Sequence, residues 1–341
     1  MKKKLTIKDV AKHADVSIAT VSRVINNRQW ASKEARKKVM HAIEELGYTP
    51  NALARGLVSH KSNTVGILMP DVSNYFFAEV FRGMEDAVHE RGSNVLVCNT
   101  DMKKERMLKY LTFLQEKQAD GIIFASERVT EDYHEIFQQS GIPVVLLATE
   151  APSSYGLPTV KVNDYQASKD AVHYLVKKGH RQIAMISGPM DDLVAGFPRF
   201  QGYQAALMEN GIPFNEELVT YGDFRFDSGR EAAKQLLENH PEITAVFCGS
   251  DEMACGAIVQ ALKMGFRVPE EFSVMGYDNV KMARMIHPSL TTLAQPLYDM
   301  GQKAANLLFQ FIQCPDDKKQ DLCKTFYMDH QIVERESVSS R

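Results

Sequence analysis

A chain of 341 residues exceeds one ordinary domain, and a content of 44% hydrophobic and 24% charged residues is that of a globular protein of two or three domains. The net charge of −3 hides an asymmetry: residues 1–62 hold 13 Lys/Arg against 5 Asp/Glu, a net of +8, which leaves about −11 for the rest. A basic head on an acidic body points to a polyanion as partner of the head alone. No run of eighteen apolar residues offers a membrane span, and the N-terminus lacks the apolar core of a secretion signal, so the expected place is the cytoplasm. The five cysteines, Cys98, Cys248, Cys255, Cys314 and Cys323, are scattered without zinc-site spacing, and no metal is expected.

Three short amphipathic helices open the chain. In the first, Ile7, Val10, Ala11 and Ala14 share a face, and Thr6 is placed to cap it. After a tight turn at Asp15-Val16, Ser17 caps a second helix that turns Val21, Val24 and Ile25 inward and leaves Ile18, Ala19, Ser22 and Arg23 outward. A third, capped by Ser32, carries Ala35, Val39, Ala42, Ile43 and Leu46 inside and stops at Gly47. Two helices joined by a short turn and braced by a third form a helix-turn-helix, whose second helix enters the major groove N-terminus first. Ile18, Ala19 and Arg23 are therefore candidates for reading bases. Arg23 has the fork that suits guanine, and the two apolar residues suit thymine methyls or close approach. Thr20, Ser22 and Asn26 are candidates for phosphate, although Thr20 and Ser22 could equally bond back to their own helix; the caps Thr6 and Ser17 complete the set. Trp30, the one tryptophan, is assigned to the head's small core.

Pro50 to Ser59 is a second DNA-facing element, with Asn51, Ala54, Arg55 and Leu57 as its candidates. It is helix-compatible but shorter than the ~12 residues an isolated helix needs, so it is expected to order only on DNA.

The run T-I-K-D-V-A, then V-S-I-A-T-V-S-R-V-I-N-N, then a basic helix ending L-G-Y-T-P-N-A-L-A-R-G-L, resembles the headpiece of the lactose-repressor/galactose-repressor (LacI/GalR) family of bacterial transcription regulators. Asp15 departs from the pattern, standing where the family usually has glycine; Asp tolerates left-handed backbone, so the turn is expected to survive. The resemblance implies that Ile18 and Ala19 are the specificity pair, and that Leu57 wedges into the minor groove at a dimer axis.

From Thr64 the pattern becomes α/β. Apolar runs at 65–69, 94–98, 121–125 and 144–148 alternate with helical stretches near 77–91, 104–118 and 130–140. The pattern then repeats, with strands at 183–187, 218–221, 245–249 and 273–276 and helices near 166–178, 200–210, 228–238 and 252–264. Continuous apolar runs are strands buried on both faces, so two doubly wound Rossmann-like units are expected, followed by a helix near 299–313 and a final strand near 325–334. The resemblance implies that the chain recrosses between the units, as in periplasmic sugar-binding proteins. The expected division is a headpiece at 1–49, a hinge at 50–62 and a core at 63–341. Within the core, a first lobe is expected at about 63–162 plus 292–323, and a second at about 163–291 plus 324–341.

Open parallel sheets bind ligands beyond the carboxyl ends of their strands. The segments there include Pro70 to Phe77, with Asp71, and those holding Arg199, Phe224, Ser250 and Asp278; aromatic faces with a few polar forks suit a sugar. By resemblance, Arg199 and Asp278 match effector-holding positions, and Phe76, Phe77, Phe224, Ser250 and Gln295 match others lining the pocket. Asp251 is read as a helix cap instead.

No phosphate loop, His-Glu-x-x-His or Gly-x-Ser-x-Gly occurs, and neither unit carries Gly-x-Gly-x-x-Gly after its first strand. No cofactor and no enzymatic activity are expected. The reading is a sugar-responsive repressor of carbohydrate-utilisation genes that binds a pseudo-palindromic operator as a homodimer, at the nucleoid when bound. Two alternatives stay open. One is a carbon-catabolite regulator answering a phosphorylated carrier protein, for which the 65–77 and 298–301 segments speak, while Asn306 stands where a basic residue is expected. The other is a cytoplasmic sugar-binding or sugar-modifying protein.

Overall fold

The computed structural model describes residues 5–26, 31–48, 62–125 and 127–341, with Asn26 as backbone only. Trp30 and the hinge candidates Asn51, Ala54, Arg55 and Leu57 lie outside the described residues, as does the side chain of Asn26. Head and body are separate compact units.

In the head, α1 (Ile7–His13), α2 (Ile18–Asn26) and α3 (Lys33–Leu46) close around Val10, Val21, Val24, Val39 and Ala42. Each start is fixed locally. The Thr6 N–H and hydroxyl donate to the Asp9 carboxylate at 2.8 and 2.7 Å, Ser17 Oγ accepts from Thr20 N–H at 3.1 Å, and Ser32 Oγ accepts from Ala35 N–H at 3.2 Å. Asp15 does adopt the left-handed backbone its turn requires, with φ of 53°, and Gly47 ends α3 at φ of 59°.

The body holds two six-stranded sheets. The first contains β1 (Thr64–Met69), β2 (Asn94–Asn99), β3 (Gly121–Ala125), β4 (Val144–Leu147), β5 (Thr159–Val162) and β11 (Thr325–Met328), in the order β11-β5-β4-β3-β1-β2. The second contains β6 (Ile183–Ser187), β7 (Val219–Tyr221), β8 (Ala245–Cys248), β9 (Ser273–Asp278), β10 (Thr291–Ala294) and β12 (Gln331–Val333), in the order β12-β10-β9-β8-β6-β7. All pairings are parallel except β10 with β12. β3, β4, β6, β8 and β9 are buried along their whole length, whereas the edge strand β2 is half-exposed, as helices covering both faces of a sheet interior dictate. The helices Tyr75–Glu90 and Leu297–Gln313 touch backbone to backbone in the first lobe: a Cβ on Gly83 would lie 2.0 Å from the Tyr298 carbonyl oxygen, and one on Gly301 would lie 2.1 Å from that of Val80.

Three expectations are corrected. β5 and β10 have no counterpart among the expected strands. The final strand of 325–334 is two strands in different sheets, because the chain crosses between lobes at Asp329-His330. The lobe boundaries shift accordingly: the segment from 292 is expected in the first lobe, but β10 pairs with β9 in the second, and the segment from 324 is expected in the second, but β11 pairs with β5 in the first.

Candidate functional site

On the head, the inward residues of α2 are buried while Ile18 is 45% exposed and Ala19 and Arg23 are exposed beside it. The candidate base-reading residues thus share an open helix face. Thr20 and Ser17 are bonded to each other, with 2.9 Å between their hydroxyl oxygens, so the Thr20 hydroxyl is engaged at the helix cap. His13 Nε2 lies 2.7 Å from Glu45 Oε2, tying the end of α1 to α3.

In the body, the loops at the carboxyl ends of both sheets enclose one cavity of about 190 Å³. A cavity of ~150 Å³ accepts a benzene ring, so this one has room for a single small ring compound. Asp71, Phe76, Phe77, Arg199, Phe224, Ser250, Asp278 and Gln295 all line it, although their separations in sequence reach more than two hundred residues. Phe76 and Phe77 meet edge to face at 5.1 Å, at the start of the helix that Asn74 caps. Phe224, in left-handed backbone with φ of 66°, lays its ring over Gly188, where a Cβ would stand 2.0 Å from the ring's tip. Strained backbone recurs at Asp278, with φ of 114°, so two of the cavity's walls are residues held in sparsely populated conformations.

Arg199 is one turn into the helix Gly196–Glu209 and is buried, as is Asp278, so both stand deep in the cleft rather than at its mouth. The partner of Arg199 is Asp164: its Nε and Nη2 each stand 2.9 Å from Asp164 Oδ1, and its Nη1 donates to the Gly249 carbonyl at 2.6 Å. The guanidinium lies 3.8 Å from the Tyr277 ring centroid, and the Tyr277 hydroxyl donates to the same Asp164 oxygen at 3.0 Å. Burial disfavours the Arg199 charge, but Asp164, Tyr277 and Asp278 outweigh it and hold the pKa above its ordinary value. Asp278 Oδ1 accepts from Gln295 Nε2 at 2.7 Å, and burial pushes its pKa up to about 7, against the lowering pull of Arg199 and Gln295.

Ser250 lines the cavity but is spent on structure. Its Oγ caps the helix Asp251–Lys263 by accepting from Met253 N–H at 3.2 Å and donates to the Phe224 carbonyl at 3.1 Å. Asp251, expected as the cap, is fully buried instead, accepting from Val280 N–H at 2.8 Å and from the Thr292 hydroxyl at 2.5 Å. Asp71 pairs with Arg225 of the other lobe, and Lys281 with Glu79 at 2.9 Å, so ion pairs join the lobes on either side of the cleft.

Sequence reasoning missed Lys161, Asp164 and Arg225. The first two sit on and just after β5, a strand that was not recognised; the Asn163 cap and the rule that ligands gather beyond strand ends would have pointed to them.

Residues 6–51 match the family described as bacterial regulatory proteins, lacI family, and residues 62–331 match periplasmic binding proteins and sugar binding domain of LacI family. The chain is 42% identical over 308 residues, 90% of its length and 92% of the relative's, to catabolite control protein A of Priestia megaterium. It is similar to the lac repressor dimer bound to operator and the anti-inducer ONPF, with a TM-score of 0.87 at 26% identity, covering 99% of this chain and 100% of that one. It is also similar to the transcriptional regulator CelR in its cellobiose complex, with a TM-score of 0.72 at 31% identity, covering 98% and 99%. The chain therefore belongs to the LacI family of bacterial regulatory proteins, as a DNA-binding transcription regulator whose body is the family's sugar-binding domain.

Proposed function

We propose that this regulator binds a pseudo-palindromic operator as a homodimer and that a small sugar in the body's cleft sets its affinity for DNA. The observation that carries the effector half is the convergence of Arg199, Asp278, Gln295 and three phenylalanines on one ring-sized cavity. Aromatic rings take the C–H face of a sugar, and polar forks take its hydroxyls. Loops of both lobes line the cavity, so a ligand that prefers one lobe arrangement shifts the population of that arrangement, and effector and operator affinities are reciprocally coupled. The chemistry is recognition throughout, and the protein acts in the cytoplasm, at the nucleoid while bound. Exposed apolar side chains in both lobes, among them Val97, Phe113, Val259, Leu262 and Met285, offer surface for a second copy.

The DNA half is tested by Arg23→Ala. Binding to a palindromic operator taken from the promoter beside the gene is expected to fall about 10- to 100-fold, with non-specific binding changed far less. A half-site is expected to bind more weakly than the palindrome. Equal loss on specific and non-specific DNA would place Arg23 on phosphate, and unchanged affinity would remove the reading of α2.

The relation to catabolite control protein A favours a second reading, in which a phosphorylated carrier protein sets DNA affinity. Asn306 lacks the basic group expected at its position, but Arg91 stands beside it, its Nη2 donating to Asn306 Oδ1 at 2.9 Å and its guanidinium 5.2 Å from the Phe309 ring centroid. Capture of a carrier protein only in its phosphorylated form, with no sugar response, would establish that reading over the sugar.

A further inference from the structure

Lys161 is the anomaly of the cleft. It is 6% exposed, lines the cavity, and stands on a strand whose other residues are apolar or hydroxyl-bearing. An ammonium has three donors and needs acceptors when removed from water. Among the described residues Lys161 has one hydrogen bond, a long one of 3.4 Å to Glu150 Oε2, and its next carboxylate, Asp164 Oδ2, is 3.8 Å away. Asp164 is divided to match. Its Oδ1 takes Arg199 and the Tyr277 hydroxyl, while among the described residues Oδ2 has only the distant Lys161. A donor short of acceptors and an acceptor short of donors thus border the same cavity with a gap between them.

We propose that Lys161 and Asp164 Oδ2 form a hydroxyl-binding pair, Lys161 donating to the ligand oxygen and Asp164 requiring that this oxygen carry a hydrogen, so that the ligand is an uncharged polyol. This rests on the reading of the cleft as the effector site. One hydroxyl oxygen about 2.8 Å from each atom spans the gap, accepting from Nζ and donating its hydrogen to Oδ2. A carboxylate or phosphate oxygen at that point has no hydrogen to give and faces Asp164 as a like charge. The rest of the lining points the same way: Asp71, Asp192, Asp223 and Glu252 stand there in addition to Asp164, against Lys161, Arg199 and Arg225.

The test is calorimetric titration of the full-length protein and Lys161→Met with neutral pentoses, hexoses and disaccharides, and with glucose 6-phosphate and glucuronate as anionic probes. Wild-type protein is expected to take a neutral sugar and to bind neither anion more tightly. Lys161→Met is expected to weaken that sugar about 10- to 100-fold. Among monodeoxy analogues of the sugar, one is expected to lose a similar factor against wild type and to bind both proteins equally. Tighter binding of an anionic probe by wild type overturns the proposal, whether or not the variant folds. So does unchanged sugar affinity in Lys161→Met, which leaves the sugar reading standing. Failure of wild type to bind any of the panel overturns the sugar reading and this assignment with it.

Discussion

Arg199→Ala is expected to destabilise the body by about 3–5 kcal/mol and to abolish the response to effector. The loss exceeds that of a truncated surface arginine because of what remains behind. Asp164 is buried, its Oδ1 is organised around the guanidinium, and removal of the cation leaves a carboxylate with the Tyr277 hydroxyl as its one close donor and Lys161 at 3.8 Å. The Gly249 carbonyl loses its donor as well, and the Tyr277 ring its cation. Arg199→Lys keeps a charge but cannot reach Asp164 and Gly249 together, so an intermediate loss is expected. Adding Asp164→Asn to Arg199→Ala is expected to recover part of the stability, since the buried charge is then gone, but none of the effector response. Thermal unfolding of the three variants reads this directly. A melting temperature for Arg199→Ala equal to that of wild type would show that the pair contributes nothing to the fold.

The second large effect is a pH dependence carried by Asp278. Burial raises its carboxyl from the ordinary 3.8 to about 7 in the folded protein. Between about pH 4 and 7 the unfolded chain ionises this group and the folded chain does not, so the unfolded state holds fewer protons and stability falls as pH rises; above about 7 both states are ionised and this contribution levels off. At about 1.4 kcal/mol per unit, the full change is on the order of 4–5 kcal/mol. Asp278→Asn removes it. The variant is expected to gain on wild type as pH goes from 5 to 8, measured by urea unfolding at both values. A constant difference between the two proteins would mean that Asp278 is ionised throughout.

The head was legible nearly to the residue because its signals are local. Ser17 and Ser32 each accept from a backbone N–H three positions on, Thr6 bonds the Asp9 carboxylate at the same spacing, and the inward residues follow the helical period. The strands buried on both faces were legible for the same reason, as uninterrupted apolar runs. β5 was not: TVKV alternates polar and apolar over only four residues, the pattern of a half-buried strand rather than of one buried throughout, and its pairing with β4 and β11 comes from residues distant in sequence. The split of the final strand is equally non-local, since the sheet that each half joins is decided by a crossing at Asp329-His330. In the cleft, the sequence placed eight lining residues through strand ends and resemblance, but pairing was beyond it. That Arg199 answers to Asp164, and that Asp251 serves the 280 loop while Ser250 caps the helix, depends on which neighbours the second sheet brings together.

The central claim is that one chain couples a DNA-reading head to a sugar cleft. Its most direct test is titration of the labelled palindromic operator in the absence and presence of a panel of neutral sugars. The account predicts salt-dependent, sequence-specific binding whose affinity shifts with one of them, and the same protein with Arg199→Ala should lose the shift. Specific binding that no sugar moves, but that a phosphorylated carrier protein does, would contradict it.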